Sequence, residues 1–193
     1  MELNREILQK AATLGSAEAS ASFSKLSSEK VIISVSEVDF VPSARLSETI
    51  SLFEDLHPTV AYSQVISGIE GVSVLAMSRE DALNFIDLLN KNPIGSTGVL
   101  MDIDRSAIKE TLNIISNSFL NSLAKKAESQ IFLSDPHLIT TASLKEIFHK
   151  LMRSKEEVIV FRTVMEVAEH QIRAELYLMF EKGLADVVKE ISK

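Results

Sequence analysis

The residues best suited to chemistry lie in one run in the second half of the chain. Ser106 stands four residues before Glu110, Asn113 stands three after it, and twenty-two residues separate Asn113 from Pro136. Residues three or four apart share a face of an α-helix, so a helix here would present the carboxylate and the carboxamide together. A carboxylate can pair with a partner's cation, and a carboxamide can orient a water through its acceptor oxygen and donor nitrogen. This pair therefore fits hydrolysis of a phosphoryl group held on another protein.

The helix that carries these residues is predicted over 104–126 and has two contrasting faces. At about 100° per residue, its polar residues fall in a narrow stripe around Glu110. The stripe holds Ser106, Glu110, Asn113, Asn117 and Asn121, and the opposite pole holds Ile108, Leu112, Ile115, Phe119 and Leu123. Asn is a mediocre helix former, so three in one stripe are unusual. The simpler alternative, the solvated face of an amphipathic helix, stays open.

The composition excludes several classes of function. The chain has 193 residues and a formal net charge of −7, which argues against bulk binding of nucleic acid or anionic membrane. The absence of cysteine rules out disulfides, thiol catalysis and thiolate metal sites. We expect no metal site, because the histidines are scattered without metal-type spacing at His57, His137, His149 and His170.

The N-terminus and the apolar runs predict where the protein resides. Met1 is followed by Glu2, Asn4 and Arg5, with no apolar signal core. No apolar run reaches the ~18 residues that a membrane helix needs. A cytoplasmic protein without membrane insertion is therefore expected.

The order of predicted elements repeats at a spacing of about one hundred residues. The first half is predicted to contain a helix, a strand, a helix, two strands and a helix, in that order. Their ranges are 2–26, 30–41, 45–56, 59–66, 72–77 and 78–89. Ser78 is the predicted N-cap of the last of these helices. The second half, after a break at 92–98, repeats that order over 104–126, 130–133, 143–152, 158–167, 172–179 and 181–191. Thr13 then falls opposite Asn113, and Ser36 opposite Pro136.

Two copies of one pattern predict an α/β (α+β) protein with a pseudo-twofold internal duplication. The hairpin strands of both halves would join into one continuous mixed β-sheet flanked by helices. We expect a single domain over residues 1–193, made of two repeats at about 1–92 and 99–193.

The motif resembles that of the CheC, CheX and FliY phosphatases of chemotaxis, which read Asp/Ser-x3-Glu-x2-Asn-x22-Pro. Ser106, Glu110, Asn113 and Pro136 match it without gaps. The opening helix, around residues 10–25, and the strand over 32–42 are also similar to segments of CheC proteins. The resemblance covers most of the chain and implies the CheC-like fold.

The first copy departs from the pattern of that family at every position. Where the family has Asp or Ser, Glu, Asn and Pro, this chain has Glu6, Lys10, Thr13 and Ser36. Lysine reverses the charge and threonine lacks a carboxamide, so we expect the first copy to be inactive. The chain then resembles a CheC-like protein with one active site, in its second repeat.

The resemblance also implies the substrate, the phospho-aspartate of the response regulator CheY. Asn113 would place a water in line with the phosphorus, and Glu110 would pair with a lysine of the regulator. Ser106 would support the helix start or touch the partner, and Pro136 would shape the adjacent loop. The protein would need no cofactor of its own, because the regulator supplies the Mg²⁺. A CheD-like regulator is a further partner that CheC resemblance brings into view.

Other interpretations compete with the phosphatase. FliM middle domains share the fold and bind partners without the catalytic pair, so a module that docks phosphorylated CheY or a flagellar switch complex is the main alternative. Asp102 and Asp104, just before the helix, are expected to favour its N-terminus rather than to catalyse. Asp135 and His137 suggest an acid/base pair, but no nucleophile accompanies them, so a turn after a strand is the preferred interpretation.

Overall fold

The computed structural model describes residues 2–46, 58–67, 70–127, 130–139 and 157–181. Its helices are α1 (Glu2–Ser27), α2 (Arg79–Asn90) and α3 (Asp102–Ala127). Its strands are β1 (Val31–Pro42), β2 (Thr59–Val65), β3 (Gly71–Met77), β4 (His137–Ile139), β5 (Glu157–Val167) and β6 (Ile172–Glu181). The helices predicted over 45–56 and 143–152, and nearly all of that over 181–191, lie outside the described residues. Glu181 itself ends β6, where the sequence had predicted a helix.

One continuous sheet joins all six strands in the order β1-β5-β6-β3-β2-β4. Each described pairing is antiparallel, whereas the sequence had predicted a mixed sheet. Exchanging β1 with β4, β2 with β5 and β3 with β6 gives the same strand order, read from the opposite edge of the sheet. This is the arrangement that a pseudo-twofold duplication requires, and the β3–β6 pair lies at its centre. The repeat boundaries at about 1–92 and 99–193 stay a prediction.

The strand predicted over 130–133 is reduced to a single bridge between Leu133 and Val65. The regular pairing with β2 starts only at His137, opposite Tyr62. From Val65 to Tyr62, β2 moves by three residues, whereas the opposite segment moves by four, from Leu133 to His137. The segment opposite β2 therefore contains one extra residue. Pro136 lies in this interval and has no N–H to give to a ladder. The proline therefore separates the two pieces of this edge strand.

The edge strand of the other half is irregular at the matching position. The register of β1 against β5 shifts between Val35 and Glu37, and Ser36 is the extra residue. The Ser36 hydroxyl donates to the carbonyl oxygen of Arg162 on β5 at 3.1 Å. Ser36 and Pro136, one hundred residues apart, thus occupy equivalent bulges in the two edge strands.

Helices α1 and α3 pack against one another and against the sheet. Their contact is close at Gly15, where a Cβ would lie 2.9 Å from the Cα of Phe119. A larger residue there would push the helices apart, since backbone cannot yield as a side chain can. The core between helices and sheet includes five buried phenylalanines, of which Phe161 packs edge-to-face with Phe119 and Phe180. A second buried cluster, including Val74 and Tyr177, lies on the other side of the sheet.

Serine side chains of α1 occupy the outer edge of β1. The Ser20 hydroxyl accepts from the backbone N–H of Ile33 at 2.8 Å, and the Ser24 hydroxyl accepts from the N–H of Val31 at 2.9 Å. These amides point away from β5, so side-chain oxygens satisfy donors that a neighbouring strand would otherwise take. None of the described helices combines the length and apolar character that a bilayer span requires.

Candidate functional site

The first turn of α3 is fixed by two polar side chains. The carboxylate of Asp104, which is buried, accepts from the backbone N–H of Met101 at 2.8 Å. The Ser106 hydroxyl donates to the carbonyl oxygen of Asp102 at 3.0 Å. Asp104 therefore serves the helix start, as the sequence indicated, and Ser106 is placed to support it. The helix begins at Asp102, two residues earlier than predicted, because Asp104 satisfies a backbone donor before the first turn.

The motif side chains lie on one accessible stripe of α3. Ser106 and Glu110 are exposed, and Asn113 is half-buried. Asn117, one turn further on, donates from its Nδ2 to the Oδ1 of Asn113 at 2.7 Å. This hydrogen bond fixes the rotation of the Asn113 amide, while the oxygen keeps a second lone pair. The sequence placed Asn117 in the stripe without a role, and its i+4 spacing from Asn113 was the signal available.

The opposite side of α3 anchors the stripe to the sheet. Ile108, Leu112, Ile115 and Phe119 are all buried, as the helical pattern predicted, while the side chain of Leu123 lies outside the described set. On the buried side of the helix, the Ser116 hydroxyl lies 2.6 Å from the hydroxyl of Ser73 on β3. A helix held on one side by apolar contacts and a buried hydroxyl pair cannot roll, so the stripe keeps a fixed orientation.

The loop before α3 is organised around a buried carboxylate on α2. Asp87 is fully buried and accepts hydrogen bonds from the backbone N–H and the hydroxyl of both Ser96 and Thr97, at 2.6–3.2 Å. Burial by itself would raise the pKa of Asp87, but the bonds from Thr97 and Ser96 outweigh it and lower the pKa from 3.8 to about 2. The Asp87 side chain is therefore ionised at neutral pH and holds the loop to α2.

The segment around Pro136 contributes shape rather than a titrating pair. Pro136 is half-buried at the interruption of the edge strand, and Asp135 and His137 are exposed. The His137 ring lies beside Tyr62 of β2, with the ring centroids 5.7 Å apart. Helix α3 contacts both β2 and β4, so this edge of the sheet supports the helix. Asp135 and Pro136 lie between the bridge at Leu133 and β4, whereas His137 is the first residue of β4 and not part of a turn.

The first copy of the motif has a different structure. Lys10 donates to the carboxylate of Glu6 at 2.8 Å on the exposed side of α1, and this hydrogen bond and charge lower the pKa of Glu6. The Thr13 hydroxyl donates to the carbonyl oxygen of Gln9 at 2.8 Å. The Lys10 ammonium and the Glu6 carboxylate pair with each other, and the Thr13 hydroxyl is hydrogen-bonded within α1. This side of the molecule therefore lacks the accessible carboxylate–carboxamide pair of α3.

One mixed cluster among the described residues has the donor types of a metal site. Ligand atoms of Glu29, Glu169 and His170 lie within 4.8 Å of one another, near the turn between β5 and β6. The His170 Nε2 is 3.7 Å from a carboxylate oxygen of Glu29, so a charge pair accounts for part of this cluster once the imidazole is protonated. The expectation that the protein has no metal site stays a prediction.

Solved structures share this fold along nearly the whole chain. FliY of Thermotoga maritima matches with a TM-score of 0.78 at 18% identity, over 99% of this chain and 96% of that chain. FliM from a FliG–FliM complex of H. pylori matches with a TM-score of 0.71 at 11% identity, over 96% and 99%. CheX of Vibrio vulnificus matches with a TM-score of 0.52 at 10% identity, over 89% and 99%.

These matches confirm the fold predicted from the sequence. The chain is an α+β protein with one antiparallel sheet and has the CheC-like fold, which FliY, FliM middle domains and CheX also have. No protein-family model matches the sequence. These solved structures are less than 20% identical to this chain. The likeness therefore establishes the architecture, and the activity has to be argued from the residues of the site.

Proposed function

We propose that this protein is a chemotaxis phosphatase that hydrolyses the phospho-aspartate of a CheY-type response regulator in the cytoplasm. The observation that carries the proposal is the stripe of α3, where an exposed Glu110 lies one turn from an Asn113 whose amide is fixed by Asn117. In this structure α3 packs on the sheet, and FliY and CheX share the fold. The described residues at the motif positions of α1 offer no equivalent pair, so the proposal assigns one active site, on α3.

The chemistry assigned to Asn113 is the positioning of water. The attacking water donates to the free lone pair of the Asn113 Oδ1, and the Nδ2 donates to an oxygen of the phosphoryl group. The water oxygen forms a bond to phosphorus as the bond from phosphorus to the aspartate oxygen breaks. Aspartate and inorganic phosphate result. The regulator supplies the Mg²⁺, which neutralises charge on the phosphoryl oxygens, so positioning is the main contribution of this chain.

The competing function is a binding module of a flagellar switch. FliM chains with this fold have been crystallised in complex with FliG and with SpeE, which shows that the architecture also serves partner binding. Mixing the purified protein with phosphorylated CheY-type regulator and Mg²⁺ separates the two functions. A phosphatase accelerates release of inorganic phosphate at substoichiometric amounts, whereas a module that only docks the regulator does not. Absence of that acceleration would select the binding module.

Glu110→Ala should weaken both the binding of the phosphorylated regulator and the rate of hydrolysis. The carboxylate is exposed on the stripe, so its loss removes an ion pair to the partner without disturbing the core. We expect the Kd to rise by about 10-fold, on the order of 1.4 kcal/mol. Isothermal titration and a phosphate-release assay measure the two effects.

A matched control for Glu110 is Glu166→Ala, which removes an exposed carboxylate from β5. It should leave Kd and rate unchanged. Equal losses in the two variants would mean that net charge, not a specific pair at Glu110, governs association.

Rebuilding the first copy should add little activity. Lys10→Glu with Thr13→Asn breaks the Glu6–Lys10 pair and restores the missing side chains. Because this adds one site to one site, the rate should rise by at most about twofold. The bulge of β1 carries Ser36 where the motif has proline, so Ser36→Pro is the third change to test. Lys10→Ala with Thr13→Ala should keep the native rate, and its loss would place the active site on α1.

A further inference from the structure

An apolar patch lies at the N-terminal end of the motif helix. Val99 and Met101 are each 65% exposed, and Ile103 is 78% exposed. We call these three side chains the apolar patch. Exposed apolar side chains on single surface sites are ordinary, but three at alternate positions in five residues are not. Three such residues so close to the motif indicate a surface that another molecule covers.

The backbone that carries the patch is held in place from several sides. Four hydrogen bonds tie Ser96 and Thr97 to the buried Asp87, and the guanidinium of Arg79 donates to the carbonyl oxygen of Gly98 at 3.2 Å. Met101 is tied to the first turn of α3 through Asp104. The apolar side chains are therefore displayed by a preorganised segment, which lowers the entropy cost of binding.

The loop before α3 is open to solvent on one side. A Cβ added at Gly95 or Gly98 would meet no atom within 4 Å apart from chain neighbours. An exposed surface does not enclose a small molecule, since ligand sites of that kind are concave. The exposed apolar side chains therefore suit a protein partner better than a small ligand.

The geometry of α3 places the patch beside the proposed site. Ile103 lies about 20° from Glu110 around the helix, at about 100° per residue, so it continues the motif stripe. The rise of 1.5 Å per residue puts its Cα about 15 Å along the helix from that of Asn113. A standard interface buries about 800 Å² on each partner, equivalent to a disc of about 16 Å radius. A standard interface centred on Asn113 would therefore reach Ile103 as well.

We infer that the apolar patch is the docking surface for the receiver domain of the phosphorylated response regulator. This inference rests on the proposed function, because the regulator is assigned through Asn113. The patch supplies affinity through apolar contact, Glu110 supplies an ion pair to the partner, and Asn113 acts at the phosphoryl group. Binding is thus shared by the patch and Glu110, while the chemistry depends on Asn113.

The test replaces Met101 and Ile103 by glutamine, singly and together. Both side chains are exposed, so the fold and Tm should be kept. With a CheY-type regulator of the same organism, phosphorylated by acetyl phosphate and Mg²⁺, the double variant should raise KM by about 5- to 30-fold at unchanged kcat. The Kd for the beryllofluoride-activated regulator should rise by the same factor. The control is Ile66→Gln, a similarly exposed residue just after β2 that should change neither value.

The outcomes separate this inference from the proposed function. If the native protein hydrolyses and the double variant keeps KM and Kd within twofold, the docking surface is refuted and the phosphatase stands. If the native protein binds the regulator without hydrolysis and the double variant binds less well, the phosphatase falls and the docking surface stands. A native dimer that the double variant converts to a monomer, with unchanged Kd, would assign the patch to a second copy of this chain and overturn the inference.

Discussion

Replacing Asn113 by alanine should lower the rate of dephosphorylation by about 10- to 1000-fold, on the order of 1.4–4 kcal/mol of barrier. The loss follows because a water without a fixed acceptor must reach the in-line position by chance. Binding of the phosphorylated regulator should persist, since Glu110 and the apolar patch are untouched. A phosphate-release assay and a binding titration on the same preparation measure both quantities.

The stability of the Asn113 variant should change little. Asn113 is half-buried and loses one side-chain hydrogen bond, that from Asn117, which is worth about 1 kcal/mol or less. Asn121→Ala is the matched control, because Asn121 is an exposed asparagine on the same stripe two turns further on. Full activity of Asn113→Ala with an unchanged melt would refute the water-positioning role assigned to Asn113.

Replacing Asp87 by alanine should have the largest effect on stability, a loss of about 2–4 kcal/mol. The change leaves two backbone N–H groups and two hydroxyls of Ser96 and Thr97 without their acceptor, in a place where the carboxylate is fully buried. Asp87→Asn should lose less, because the carboxamide keeps one acceptor oxygen. Urea unfolding of the three proteins at neutral pH gives the order, and equal stabilities would show that the loop does not depend on Asp87.

The Asp87 carboxylate also predicts a pH dependence. Its pKa is lowered from 3.8 to about 2, so the folded state favours the ionised form. The stabilisation is complete above pH 3.8 and fades as the pH falls towards about 2. The native protein should therefore lose more stability across this window than Asp87→Asn does. If the free energy of unfolding fell equally with pH in the two proteins, the acid sensitivity would belong to other carboxylates.

Local patterns predicted most of the described elements to within a few residues. The β-branched runs gave β1 and β5, and Ser78 is the N-cap of α2, with its hydroxyl accepting from the N–H of Asp81 at 2.9 Å. The helical periodicity placed Glu110 on an exposed stripe and Phe119 in the core. These features depend on neighbours within one turn or one strand, which is the range that periodicity reports.

Long-range features were beyond that range. The repeat predicted that the hairpin strands of both halves join in one sheet, but no local pattern encodes the register, such as Val72 opposite Met179 in the antiparallel β3–β6 pair. The strand at 130–133 was lost because Pro136 and an extra residue interrupt the ladder. Asp87 was missed, although an aspartate between Ile86 and Leu88 on an apolar helix face signals a buried partner.

The serine hydroxyls that meet the outer amides of β1 bear on how copies of this protein behave when crowded. An open strand edge invites the backbone of another chain to extend the sheet, and that route leads to aggregates. Along β1 the amides of Val31 and Ile33 are already occupied by Ser24 and Ser20 of α1. An incoming strand would have to displace both hydroxyls and the helix that carries them. Helix α1 thus protects this edge of the sheet against pairing with the strand of another chain.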